Sequence, residues 1–129
     1  MFTIDQIAAA HSKVKSGADF PNYIKEIKQL GVTHYETFAS DSRADFYGAN
    51  NFKVCMPAKF SPIAVSDNCN VEQFKNDLKN HQQGKTDYLT WRNDTAKSGI
   101  EKWKVDLHQM TCTYYDTKGN EILTENIPQ

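Results

Sequence analysis

The alternation of apolar and polar positions begins with a helical period. Ile4, Ile7, Ala8, His11 and Val14 recur along one helix face, and Thr3 with Gln6 forms a capping box ahead of them. Phe2 stands where a side chain can staple onto Ile7, and Ser16-Gly17 ends the run. A second helix is expected from about Asp19, with Pro21 tolerated in its first turn. Phe20, Tyr23, Ile24, Ile27 and Leu30 make one continuous apolar face, and Gly31 is placed to close it in the left-handed conformation. The pair reads as an αα-hairpin.

The period then changes to that of strands. Residues 32–39 are rich in Thr, Tyr and Phe, Ser40-Asp41-Ser42 is turn chemistry, and residues 44–48 return as a second strand. Asn50-Asn51, Pro57 and Pro62 interrupt the next stretch, leaving residues 52–55 and 63–65 as two short strands. Asn70 with Gln73 caps a third helix carrying Phe74 and Leu78 and ending near Gly84. Thr86-Asp87 opens a short fourth helix through Tyr88, Trp91 and Ala96, closed by Gly99. Trp103, Val105 and Leu107 alternate with Lys102, Lys104 and Asp106 as a half-buried strand does. Residues 111–115 and 121–127 complete a β-meander, with Gly119 in its hairpin loop and Pro128 ending it.

These elements do not alternate strand with helix, which disfavours a doubly wound parallel sheet. The expectation is one α+β domain over residues 1–129. Its sheet is largely antiparallel, an N-terminal hairpin plus the C-terminal meander, with about four short helices mainly on one side. Each helical pair precedes strands, an echo for which the residues supply no repeat.

Composition narrows the function classes. With 129 residues, 39% of them apolar, the chain is long enough to bury a core without staples. Seven Phe, six Tyr and two Trp argue against disorder. Fifteen basic residues face sixteen acidic ones, and the lysines at 13, 15, 25, 28, 75 and 79 read as solvated helix faces. No nucleic-acid or membrane partner is expected from that balance. Neither a spanning apolar run nor a basic, apolar leader is present. Cys55, Cys69 and Cys112 are odd in number and widely spaced, which suits free thiols in a cytoplasmic protein.

One polar constellation stands out. On a strand, His34, Glu36 and Phe38 share a face, and a hairpin partner offers Asp45 and Tyr47. In matching register His34, Glu36, Asp45 and Tyr47 cluster. There an imidazole beside two carboxylates holds a proton above its usual pKa, works as acid or base, or binds a divalent metal. The plain alternative is a solvated cross-strand polar face. Tyr88, Trp91, Trp103 and Tyr114, with Tyr115, either line an aromatic pocket or form the core joining the fourth helix to the meander. His11, His81 and His108 read as structural, Cys112 as a small core residue, and the acids at 41 and 45 as part of a turn. No zinc motif, phosphate loop or cofactor signature is present, and no cofactor is expected.

Several segments carry a family resemblance. Residues 81–88 (HQQGKTDY), 98–106 (SGIEKWKVD), 111–116 (TCTYYD), 31–36 (GVTHYE) and 46–50 (FYGAN) are similar to the YdfO-like family of small bacterial proteins. The resemblance implies an α+β fold of this length and an occurrence in bacterial and prophage genomes. It brings no assigned activity and no catalytic residues. The family pattern places an aromatic-Cys pair where this chain has Trp91-Arg92, so this chain has no thiol at that position and a thiol-based activity for the family is disfavoured. The functional expectation is a non-enzymatic protein-interaction module of phage or prophage origin, acting through self-association or a protein partner. The alternative is a small-molecule or metal-binding domain, with or without enzymatic activity, using His34, Glu36, Asp45 and Tyr47.

Overall fold

Each helix starts where the local chemistry says it should. The computed structural model describes residues 2–14 and 19–127. Helix α1 (Ile4–His11) has the full capping box, with Thr3 Oγ1 accepting the Gln6 amide and Gln6 Oε1 accepting the Thr3 amide. Helix α2 (Phe20–Leu30) ends on Gly31 at φ 109°, a left-handed conformation that costs a glycine nothing. Helix α3 (Val71–Gln82) is capped by Asn70 and helix α4 (Tyr88–Lys97) by Asp87, whose carboxylate accepts the Thr90 amide at 2.8 Å.

Strands β1 (His34–Phe38), β2 (Ala44–Tyr47) and β3 (Lys53–Met56) form one antiparallel meander. Strands β4 (Ile100–Asp106), β5 (Thr111–Asp116) and β6 (Glu121–Asn126) form another. β1 pairs antiparallel with β4, giving a six-stranded sheet in the order β3-β2-β1-β4-β5-β6. The fold is therefore α+β with an antiparallel sheet and four helices. Those helices pack on the face carrying Tyr35, Phe46, Val105 and Tyr114: Tyr23 of α2 meets Tyr35, and Phe74 of α3 meets Tyr114 edge-on at 4.8 Å.

The order αα-βββ occurs twice, and the two units meet back to back at β1 and β4. The echo extends to residues once register is known. Tyr35 pairs with Phe46 and Phe46 with Val54; at the matching positions Trp103 pairs with Tyr114 and Tyr114 with Leu123. Each unit thus lays an aromatic, aromatic, aliphatic row beneath its helices. Each first helix opens on a side-chain cap with Gln three residues on, Thr3 and Gln6, then Asn70 and Gln73. Each second helix closes on a left-handed glycine, Gly31 and then Gly99 at φ 88°.

Two sequence expectations need correction. The buried positions of α1 are Ile7 and Ala10, with Val14 packed beside them, while Ile4, Ala8 and His11 are exposed. The helix stops early because the Ser12 hydroxyl bonds back to the Ala9 carbonyl at 2.7 Å, closing the last turn; Ser16-Gly17 lies outside the described residues, as does Pro128. Residues 63–65 are not a strand. Pro57 and Pro62 remove ladder donors, and other backbone groups of the segment are bonded elsewhere. The Lys59 and Phe60 amides donate to the Asp41 carbonyl, the Ile63 amide to Ser40, the Ser66 amide to Ala96 and the Asn70 amide to Ser98.

Arg92 clamps that segment down. It is 5% exposed and lies over the Phe60 ring at 4.9 Å. Its guanidinium donates to the Ala39, Ser40 and Ser61 carbonyls, so one α4 side chain ties the β1–β2 turn to residues 57–65. Arg92→Met strands those carbonyls without a donor and is expected to cost about 3 kcal/mol in urea unfolding, with Arg92→Lys recovering only part. Gly99 is the other pinch point. A Cβ there would stand 2.5 Å from the Asn68 carbonyl oxygen and 2.7 Å from Cys69 Cα, whereas Gly119 meets nothing. Gly99→Ala is expected to lose more than about 2 kcal/mol by the same measurement and Gly119→Ala about 1 kcal/mol.

Candidate functional site

The β1–β2 register decides what His34, Glu36, Asp45 and Tyr47 can do. His34 pairs directly with Tyr47 and Glu36 with Asp45, so all four project from one sheet face, the one opposite the helices. The His34 and Tyr47 rings stack at 4.4 Å with 7° between their planes, and His34 Nδ1 lies 3.1 Å from Thr33 Oγ1. Glu36 and Asp45 are like charges directly opposite one another, which is unfavourable by itself. A lysine relieves each. Lys102 Nζ donates to Glu36 Oε2 at 2.8 Å, and Lys53 Nζ lies 3.7 Å from Asp45 Oδ2.

The imidazole therefore faces a phenol ring and a hydroxyl, while both carboxylates are held by ammonium groups. The expected upward shift of His34 is corrected to a downward one. Partial burial and then Lys104 lower its pKa, and together they outweigh the opposite pull of Asp106 and Glu36. Lys102 moves the other way, held protonated chiefly by its hydrogen bond to Glu36. Among the described residues, no three His, Cys, Asp or Glu side chains gather closely enough to hold a metal ion. The face instead presents cations laid against rings. Lys102 sits 5.9 Å from the Phe38 centroid and 5.4 Å from that of Tyr115, and Lys53 5.4 Å from that of Tyr47.

The aromatic set separates into two places. Trp91, Trp103 and Tyr114 pack on one another with centroids 6.3–6.5 Å apart, and Phe74 and His81 join them. This is a filled core under α3 and α4, with Trp91 and Tyr114 buried. Tyr88 is elsewhere. It begins α4, stacks on Phe60 at 6.2 Å and shares a 2.7 Å hydrogen bond with Ser42. Tyr115 points to the open face with Lys102.

Two clefts, each about 170 Å³, touch none of those positions. One lies between α1 and α2 beside Tyr23. The other lies between α3 and α4, where burial and then the neighbouring Asp77 hold the Asp94 carboxyl above its usual range. Burial pushes the Cys112 thiol up to about 12, which leaves it an unreactive core residue. The α2 periodicity placed Tyr23 on an apolar face, but no sequence signal paired it with Tyr35 of β1, whose ring it meets at 6.5 Å.

Three histidines share one electrostatic trend. His11, His34 and His81 all lie below the ordinary value of 6.5, in each case chiefly through burial. His81 Nδ1 lies 3.2 Å from the Thr86 carbonyl, a contact that favours the proton but is outweighed by burial of the ring, which stacks on Trp91 at 4.9 Å. A histidine whose folded pKa is depressed binds its proton first in the unfolded chain, so protonation favours unfolding. Thermal stability is expected to fall as pH drops through and below 6.5, and calorimetry at about pH 7.5 and about pH 5.5 measures it. His81→Gln is expected to flatten that fall.

Among the described residues, no helix is long and apolar enough to cross a membrane. No curated protein matches the sequence. A family model, described as a protein of unknown function (DUF1398), matches residues 8–126. That span runs from within α1 to the end of β6 and takes in the whole sheet, and the chain belongs to the DUF1398 family.

Proposed function

We propose that this chain is a non-enzymatic protein-interaction module that pairs with a second copy of itself through the open face of its sheet. The charge pattern of that face carries the reading. Its carboxylates Glu36 and Asp45 stand on β1 and β2, and its lysines Lys102 and Lys104 on β4, with half-buried Phe38, Tyr47 and Tyr115 among them. A copy related by a two-fold axis lays each chain's β4 lysines over the partner's β1–β2 carboxylates, with the rings supplying apolar contact. Strand addition at an outer edge is the other way such a sheet pairs. β3 has four residues and carries an exposed lysine, features that discourage edge pairing, so the face is favoured.

On the same reading the chain is a cytoplasmic member of the YdfO-like bacterial and prophage proteins. Support comes from the segments at 81–88, 98–106 and 111–116 and from three free cysteines. Ligand or metal chemistry at His34, Glu36, Asp45 and Tyr47 draws less support, because among the described residues no three His, Cys, Asp or Glu gather there and the side chains lie on an open sheet face.

Light scattering across a concentration series tests the proposal. A dimer is expected, and reversing charge in the double variant Lys102→Glu/Lys104→Glu is expected to weaken it at least about tenfold. A chain that stays monomeric at about 1 mM, where even an association of about −4 kcal/mol registers, would sink the self-association reading.

A further inference from the structure

The open face is ordered in levels across the seam between β1 and β4. At one level His34 stands beside Asp106, at the next Glu36 beside Lys104, and at the third Phe38 beside Lys102. Asp45 on β2 and Thr113 on β5 flank the middle level. Unlike groups thus stand side by side along the seam: imidazole and carboxylate, carboxylate and ammonium, ring and ammonium. Within the chain Glu36 takes its hydrogen bond from Lys102, at 2.8 Å. Lys104, half-buried on the seam, enters no ion pair among the described residues.

Two copies that meet face to face by two-fold symmetry have their axis in the plane between the sheets, and its position decides which groups meet. An axis across the strands at the middle level lays each strand on its own copy and sets Glu36 against the partner's Glu36. Moved toward His34 to avoid that, it carries Phe38 and Lys102 past the strand ends. An axis along β1 again opposes the two Glu36 carboxylates and leaves β6 uncovered, and one along β4 opposes the two Lys104 ammoniums. Between β1 and β2, Glu36 faces the partner's Asp45.

An axis along the β1–β4 seam has none of these conflicts. It lays β1 over the partner's β4, β2 over β5 and β3 over β6, so all six strands overlap. Each level of the seam then meets its unlike group a second time, across the interface. Resting on the self-pairing reading, we propose that the dimer axis runs along this seam. Glu36 then meets the partner's Lys104, Phe38 the partner's Lys102 and His34 the partner's Asp106. Opposite charges and a cation on a ring fix the register, and the seam that joins two units within a chain is also the line along which two chains join.

Two variants of opposite charge change test the axis by light scattering. Glu36→Lys and Lys104→Glu are each expected to weaken the dimer at least about tenfold. Mixed in equal amounts, they are expected to pair with each other at least as tightly as wild type, because both contacts across the axis regain opposite charges. Asp45→Lys mixed with Lys104→Glu is expected to give no such recovery, since Asp45 faces the partner's Thr113. Recovery with Asp45→Lys in place of Glu36→Lys would overturn the proposal and move the axis onto β1; recovery with neither would overturn it as well.

Crosslinking covers the case of a charge variant that fails to fold. One chain carries Asp45→Cys and the other Thr113→Cys, both with the neighbouring exposed Cys55 changed to Ser. Oxidation of the mixture is expected to join the two chains by a disulfide of the kind that bridges facing sheets. Absence of that product at a concentration where the wild-type chain is dimeric would overturn the seam axis and leave the dimer reading standing. A wild-type chain that is monomeric at about 1 mM removes both.

Discussion

The pairing of β1 with β4 is the constraint on which the rest depends. Each αα-βββ unit alone would be a three-stranded meander with two exposed edges, each an open ladder of unpaired backbone groups. Joining the inner edges makes one six-stranded sheet and buries Tyr35 and Val105 at its centre. Across the join, Glu36 pairs with Lys104 and Phe38 with Lys102, so the open face gains its Lys102–Glu36 ion pair from strands of different units.

A second tie works across the units from above. Arg92 reaches from α4 to the β1–β2 turn, and its charge is satisfied by carbonyl dipoles alone. Such a group is costly to bury and still more costly to leave half-bonded, so it holds residues 57–65 in an irregular course that their own sequence does not favour. The core under α3 and α4 is less demanding. Phe74 is fully buried among Trp91 and Tyr114, and its burial is worth about 2–3 kcal/mol through ordinary exclusion from water.

The features legible in the sequence were local. Thr3, Asn70 and Asp87 cap within three residues, and Gly31 and Gly99 close helices by backbone freedom, so the helices were readable from short windows. The polar face was readable in part, because strand alternation puts His34 with Glu36 and Asp45 with Tyr47, but the register that sets His34 against Tyr47 was not. Nor was long-range pairing. No residue in β1 announces β4 as its neighbour, and the aromatic rows that relate the two units emerge only through cross-strand register. Residues 63–65 misled because their partners, Arg92 and the helix ends, lie outside any window. Tyr88 misled because helix period put it with Trp91, while the turn at Ser42 and the ring of Phe60 claim it. His34 had the right neighbours and the wrong balance, since partial burial and Lys104 outweigh Asp106 and Glu36.

The join between β1 and β4 has a consequence for how the chain meets other copies during folding. Each unit is built from near-neighbour contacts and can assemble early, whereas the join must wait for strands far apart in sequence to find one another. Until it forms, the inner edge of β1 is an open ladder that any β4 of the same sequence completes equally well. Two nascent chains can therefore exchange halves, each supplying the other's missing edge, and the segment at 57–70 is the hinge across which that exchange would pass. Arg92 fastens this hinge to its own chain's β1–β2 turn, so the buried guanidinium also acts as the latch that favours closure within one molecule over trade between two.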